Sequence, residues 1–302
     1  MGFNKFFQIF IGILFSIFIP LGARAATLYL LPQSQIIHRG ETFLVEVRLD
    51  AEGEEINAIE GNINLPLDLL EFVDFSKGES ILSLWPKEPI ISDNSLSFIG
   101  GAPGGFKGEE RIGRIILKGK MEGKGEINFK EDSKVLLNDP LGTSAKLSTF
   151  GANFTILAEK LEIPRDQWLQ ELEKDKIPPE PFEIKIGKLP EVFEGKYFIA
   201  FSTIDKQTGI SHYEVKEGKE DWKRGESPYL LEDQSLRNKI LVKAVDKAGN
   251  ERIAKIVPPY KPTWKEIIIG LLILAGIGVI VWRIIRRIIT KPRQNSPNLG
   301  KD

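Results

Sequence analysis

TFLVEVRL (Thr42–Leu49) and IEGNINL (Ile59–Leu65) decide the fold of this chain. In the first, Phe43, Val45, Val47 and Leu49 fall on one side of an extended backbone. In the second, Ile59, Gly61, Ile63 and Leu65 do so, with Glu60, Asn62 and Asn64 on the other side. A period of two is that of a half-buried strand. Further strands are expected at Leu69–Phe75, Ser95–Ile99, Arg114–Lys120, Glu126–Phe129, Val135–Leu137 and Asn153–Leu157, separated by clusters of Gly, Pro, Asn and Asp. About nine short strands with no helical period among them indicate an antiparallel sandwich or jelly roll over residues 26–157.

The texture then changes. Residues 158–177 read as a linker with a short helix starting at Pro164, which sets Trp168, Leu169 and Leu172 on one side. Pro178, Pro179 and Pro181 stiffen the entry to a second module over residues 178–258. Strands are expected there at Phe182–Ile186, Tyr197–Thr203, Ser211–Lys216, Asp221–Arg224, Tyr229–Leu231, Lys239–Asp246 and Arg252–Val257. That number in so short a span is the pattern of an immunoglobulin-like sandwich. The chain is therefore expected to be all-β apart from its ends.

Those ends are apolar. Residues 1–25 carry Lys5, an apolar run from Phe6 to Leu21 and the small pair Ala23 and Ala25, the pattern of a cleaved signal peptide. From Ile267 to Trp282 every residue is apolar, and Trp264 and Trp282 bracket the run. At about 1.5 Å per residue the two indoles stand about 27 Å apart, which suits two interfacial belts. Residues 264–289 are thus expected to form a transmembrane helix with a basic interfacial end at Arg283, Arg286 and Arg287. Positive flanks stay inside, so residues 290–302 form a cytoplasmic tail and the β-modules lie outside the cell, single-pass, on the surface of the cell membrane.

Composition narrows the function. Of the 41 lysines and arginines, six follow Trp282 and two precede Ala26, while only one of the 42 acidic residues lies in those ends. The part between is acidic, which argues against a nucleic-acid partner. The absence of cysteine removes disulfides, thiolate nucleophiles and zinc–cysteine sites. His38 and His212 are the two histidines, and neither sits in a metal-binding or triad pattern. No catalytic residue, metal ligand or cofactor is assigned, and the chain reads as a non-enzyme. Asp205, Asp246 and Asn250 offer oxygen ligands for calcium, but they form no EF-hand loop and read as turn caps. GGAPGGFKGEERIG (residues 100–113) lacks the lysine signature of a phosphate loop and reads as a flexible loop with close backbone approach.

The order of patterns in the first module resembles the cohesin family. LLPQSQIIHRGETFLVEVRLDAEG, INAIEGNINLPLDLLEFVDFSKGE, the glycine-rich stretch after Phe98 and LLNDPLGTSAKL carry the resemblance, which covers most of residues 26–157. The second module resembles bacterial immunoglobulin-like or fibronectin-like repeats that end in AVDKAGN. The first resemblance implies a nine-stranded jelly roll that binds a dockerin module or, in related modules, carbohydrate. The matching strand offers Glu60, Asn62 and Asn64 for a partner helix, although exposed polar alternation is also the ordinary state of a solvated sheet face. Trp85 between strands suits sugar stacking, protein contact or a plug of the core. Two departures stand out: residues 100–105 carry no charge where partner-binding relatives are often acidic, and one cohesin-like module occurs rather than several. The expected function is a membrane-anchored surface protein that binds a dockerin-like protein, with polysaccharide attachment as the alternative.

Overall fold

The computed structural model describes residues 25–258, 262 and 264–289, with side chains described through residue 286. The expected signal peptide and cytoplasmic tail lie outside the described residues. The N-terminal part is a two-sheet sandwich of jelly-roll type. One sheet has the order β11-β1-β3-β8-β5, from Leu147–Phe150, Ala26–Leu31, Thr42–Asp50, Glu109–Gly119 and Leu70–Ser76. The other runs β2-β12-β9-β4-β7-β6, from Ser34–His38, Ala152–Leu157, Gly123–Phe129, Ile56–Asn64, Ser95–Phe106 and Leu84–Ser92, with β10 (Lys134–Leu137) also paired to β4. Neighbours are antiparallel except β1 with β11 and β2 with β12.

The alternation seen in the sequence is the alternation of burial. Phe43, Val45, Val47 and Leu49 of β3 face Ile59, Ile63, Leu96 and Phe98 of the opposite sheet in one core. Gly61 is buried beneath Phe98, and a Cβ there would overlap the Phe98 ring. Phe98 in turn contacts Phe75 and Trp85, with ring centroids 5.7 and 5.8 Å away.

Four strands, β1, β2, β6 and β11, lie outside the spans expected from the sequence. β6 holds Pro86 and Pro89, which read as a break, but it lies at a sheet edge and pairs with β7 through two register shifts. An edge strand tolerates a missing N–H donor. β2 and β11 are short edge strands held by parallel partners distant in sequence. The sandwich therefore has twelve strands where about nine were expected. The glycine-rich stretch is not a free loop but the second half of β7, with Ile59 opposite Gly100 and Ala58 opposite Gly101. The expected close approach is present there: a Cβ on Gly100 would come within 2.5 Å of Leu82 Cδ1.

The linker lies against the first module. Helix α1 spans Gln167–Lys174, begins later than Pro164 and is capped by Asp166, whose carboxylate accepts the Leu169 N–H at 2.9 Å. Trp168 is buried, whereas Leu169 is exposed because α1 has one short buried turn beside β3. Gln167 Oε1 accepts the Leu44 N–H at 3.3 Å, and Thr42 N–H donates to Arg165 O at 3.0 Å.

The second group of strands forms two small sheets around their own apolar core. Their orders are β13-β14-β17 (Lys185–Gly187, Phe198–Ala200, Tyr229–Leu230) and β16-β15-β18-β19 (Lys223–Arg224, Ile210–Glu217, Ile240–Asp246, Glu251–Ile256). Each falls on or beside an expected strand. The two strand groups meet through polar contacts at one end. Ser76 Oγ donates to Thr208 O at 2.7 Å, Lys247 Nζ to Phe75 O at 3.0 Å and to Asp74, and Arg114 to Gln207 O. Helix α2 (Trp264–Ile289) follows. Within it, Trp264–Arg286 contains an 18-residue window with a mean hydropathy of 2.6 and is long and apolar enough to cross a membrane.

Because Phe98 occupies the space that a side chain at 61 would need, Gly61→Ala is expected to cost about 1–3 kcal/mol. Asn64→Ala, on the exposed side of the same strand, is expected to stay within about 0.5 kcal/mol. Chemical denaturation of both variants checks the pair.

Candidate functional site

Burial of Ile59, Gly61 and Ile63 leaves Glu60, Asn62 and Asn64 on the outer side of β4. β4 lies inside its sheet, so the three stand away from its edges. Glu60 sits opposite Ile99 and Lys134 and pairs with the Lys134 ammonium at 3.6 Å. Asn62 sits opposite Ser97, and its backbone is locked by Ser133: the Asn62 N–H donates to Ser133 Oγ at 3.1 Å, and Ser133 Oγ donates to Asn62 O at 3.0 Å. Asn64 is exposed, opposite Ser95 and Asn128.

The same outer face carries apolar side chains that the sequence reading did not single out. Ile90 lies opposite Ser97 and is 55% exposed. Leu136 lies opposite Ala58, and Ile36, opposite Thr155, is 69% exposed. Six strands at about 4.8 Å spacing make this face roughly 25 Å wide, enough for one helix or two. The signal for Ile90 was hidden by the prolines of β6, and that for Ile36 by the brevity of β2.

Trp85 lies elsewhere. Its indole N–H donates to Leu82 O at 3.2 Å, its ring contacts Phe75 at 5.9 Å, and Lys77 Nζ stands 5.5 Å from the ring centroid. It lines a cleft of about 680 Å³ between the two strand groups, whereas Glu60, Asn62 and Asn64 do not. Lys247, at the bottom of the junction, has its ammonium pKa pushed down by burial, with the Asp74 carboxylate acting against that shift.

Next to the cleft lies a group of three buried carboxylates. Asp175, Asp205 and Asp246 present oxygens within 4.8 Å of one another, and it is the one group among the described residues with the donors to hold a metal ion. Each already serves the fold. Asp205 Oδ1 accepts the N–H groups of Gln207, Thr208 and Gly209 at 3.0, 2.8 and 2.8 Å. Asp246 accepts the Asn250 N–H at 2.8 Å and its Nδ2 at 2.9 Å, and Asp175 Oδ2 accepts Thr208 Oγ1 at 2.6 Å. The turn-cap reading of Asp205 and Asp246 fits these bonds. Asp175 was missed because it arrives from the linker and no local pattern marks it. The histidines are separate: His38 lies 3.3 Å from Glu41 and His212 lies 3.8 Å from Glu214, in different strand groups.

No family model matches the chain, and no curated protein matches it. Solved structures do align with part of it. A non-cellulosomal cohesin from Archaeoglobus fulgidus is 16% identical, covers 44% of this chain and 91% of its own, and has a TM-score of 0.38. A type I cohesin–dockerin complex from Clostridium thermocellum gives 12% identity over 45% of this chain and 96% of that chain, with a TM-score of 0.38. The seventh ScaB type I cohesin from Pseudobacteroides cellulosolvens gives 14% over 46% and 96%, with a TM-score of 0.37.

Burial, and then the nearby charge of Asp175, raise the Asp205 pKa above the ordinary aspartate value, while its three backbone hydrogen bonds hold it down. A raised acid destabilises the fold above its folded-state pKa, and that cost is relieved as pH falls through it. Carboxyl NMR titration is therefore expected to place the Asp205 midpoint above that of free aspartate. Asp175→Asn is expected to move the midpoint down. A midpoint unmoved by Asp175→Asn means the two carboxylates do not interact.

Proposed function

We propose that this chain is a membrane-anchored, non-catalytic binding protein whose first module captures a dockerin-type protein on the outer face of the β4 sheet. The observation that carries the reading is the character of that face. It spans six strands, and it mixes apolar Ile36, Ile90 and Ile99 with the polar Glu60, Asn62 and Asn64. Such a mixture suits a helical partner: the apolar residues supply the desolvated centre, and the amides and carboxylate supply orientation. The class of partner follows from the cohesin-like order of sequence patterns in residues 26–157.

In this reading residues 1–25 are the export signal, residues 178–258 are an immunoglobulin-like spacer joined through the linker at 158–177, and residues 264–289 are the anchor. The anchor rests on an apolar helix with no buried face, which requires hydrocarbon or a partner around it. Arg283 and Arg286 mark its cytoplasmic end, so that residues 290–302 lie inside and the recognition face projects from the cell surface.

The test is capture from the secreted proteins of the source organism by the full chain, read by mass spectrometry. Proteins bearing dockerin repeats are expected among the bound fraction. The double variant Asn62→Arg, Ile90→Asp is expected to lower their affinity by about 30-fold or more, the scale of a central hot spot, with the thermal melt preserved. Capture that is unchanged by the double variant, or a bound fraction without dockerin repeats, rejects the reading.

A further inference from the structure

The cleft between the two strand groups is separate from the outer face and has its own chemistry. At about 680 Å³ it falls within the range of small-ligand sites, which occur preferentially where modules meet. Half-buried Phe72, Trp85 and Tyr213 line it, together with Ser83, Ser202 and Ser211. Its charges are largely neutralised from within. Lys77 pairs with both oxygens of Glu88 at 2.9 and 2.8 Å, and Lys247 pairs with Asp74. Arg224 and Glu226, both exposed on the second wall, form no side-chain hydrogen bond or ion pair among the described residues, and neither does Ser83 on the first wall.

These features discriminate among ligand classes. A polyanion would meet one unpaired cation against lining carboxylates that equal or exceed the cations, so the cleft offers it no attractive field. An extended peptide that adds to a sheet needs free backbone groups. On the second wall several are already used. Phe201 N–H donates to Ser227 Oγ at 3.0 Å, Thr203 N–H to Tyr213 Oη at 3.1 Å, and Ile204 O accepts the Glu180 N–H at 3.0 Å. A neutral sugar asks for what remains. Aromatic surface meets its C–H faces, a carboxylate accepts two vicinal hydroxyls, and a guanidinium donates to their oxygens.

We propose that the cleft between the two strand groups is a binding site for a neutral oligosaccharide, with Arg224 and Glu226 addressing its hydroxyls and the Phe72–Trp85–Tyr213 surface receiving its apolar faces. Trp85 lines the cleft with Lys77 Nζ 5.5 Å from its ring centroid, and Lys77 pairs with Glu88. The site shares none of Glu60, Asn62 and Asn64, so it does not depend on the protein-binding face.

The test uses the full chain in nanodiscs, which avoids sugar-based detergents. Cellotetraose and maltotetraose are titrated by calorimetry and by tryptophan fluorescence, with a neutral and an acidic hexapeptide as counter-probes. At least one tetrasaccharide is expected to bind with a Kd tighter than about 1 mM. Arg224→Ala with Glu226→Gln is expected to weaken it by about tenfold or more, the loss of one or two hydrogen bonds to charged groups. The same variant is expected to leave the thermal melt and dockerin capture unchanged, so failure here is distinguishable from failure of the outer face. The proposal is overturned if neither tetrasaccharide binds saturably, if the double variant leaves the affinity intact, or if a hexapeptide binds the same residues more tightly than either sugar.

Discussion

Burial of one side of each strand is the constraint on which everything else in this protein rests. The chain has no cysteine, so no covalent tie assists the sandwich. Fully burying a side chain such as Phe43, Phe98 or Leu49 contributes about 1.5–3 kcal/mol, and many of these together must offset the entropy of ordering the backbone. A slip of one residue in β4 would send Ile59 and Ile63 to solvent and Glu60 and Asn62 into the core. The register that holds the fold is therefore the register that turns Glu60, Asn62 and Asn64 outward.

A second consequence concerns the junction. The linker and the second strand group do not hang from the first. A Cβ on Gly78 would overlap the Gln207 backbone, so the two backbone segments approach more closely there than a side chain allows. Ser76 and Arg114 then donate to the loop Asp205–Gly209, and Lys247 of the second group donates back to Phe75 O. Arg114 is held from several directions, by Gln207 O, by Glu171 at 3.5 Å and by the Trp168 ring at 6.0 Å. This arrangement fixes the walls of the cleft relative to each other. It also buries Asp175, Asp205 and Asp246 side by side, which loads negative charge into the same seam.

Local periodicity explains which parts were legible from the sequence. β3 and β4 declare themselves because each has one wet and one dry side, and each strand of the second group lies on or beside its expected position. β8 is less clean, since Gly113 to Leu117 is buried on both sides. Its outer residue Arg114 lies beneath the linker, and no alternation records that. β6 was invisible because its prolines mimic a turn, and only its place at the edge makes them acceptable. The glycines after Phe98 looked like a loop for the same reason: their role is to let Leu82 and Asn138 approach the strand, a non-local demand. The outer positions of Glu60, Asn62 and Asn64 could be read directly. The cleft and the acidic group could not, because residues distant in sequence build them, and the packing of Trp85 against Phe75 and Phe98 is set by tertiary contact rather than local pattern.

The absence of native cysteine makes thiol labelling the most direct measurement of the central claim, that the alternation on β4 turns Asn64 outward on a module displayed outside the cell. Asn64→Cys and Ile63→Cys each place a single thiol in the chain. Asn64 is exposed and its neighbour Ile63 has no exposure. Intact cells treated with a membrane-impermeant maleimide should label Asn64→Cys to completion and leave Ile63→Cys unmodified until the protein is denatured. Equal labelling of the two positions would contradict the register, and labelling of Asn64→Cys only after lysis would contradict the display.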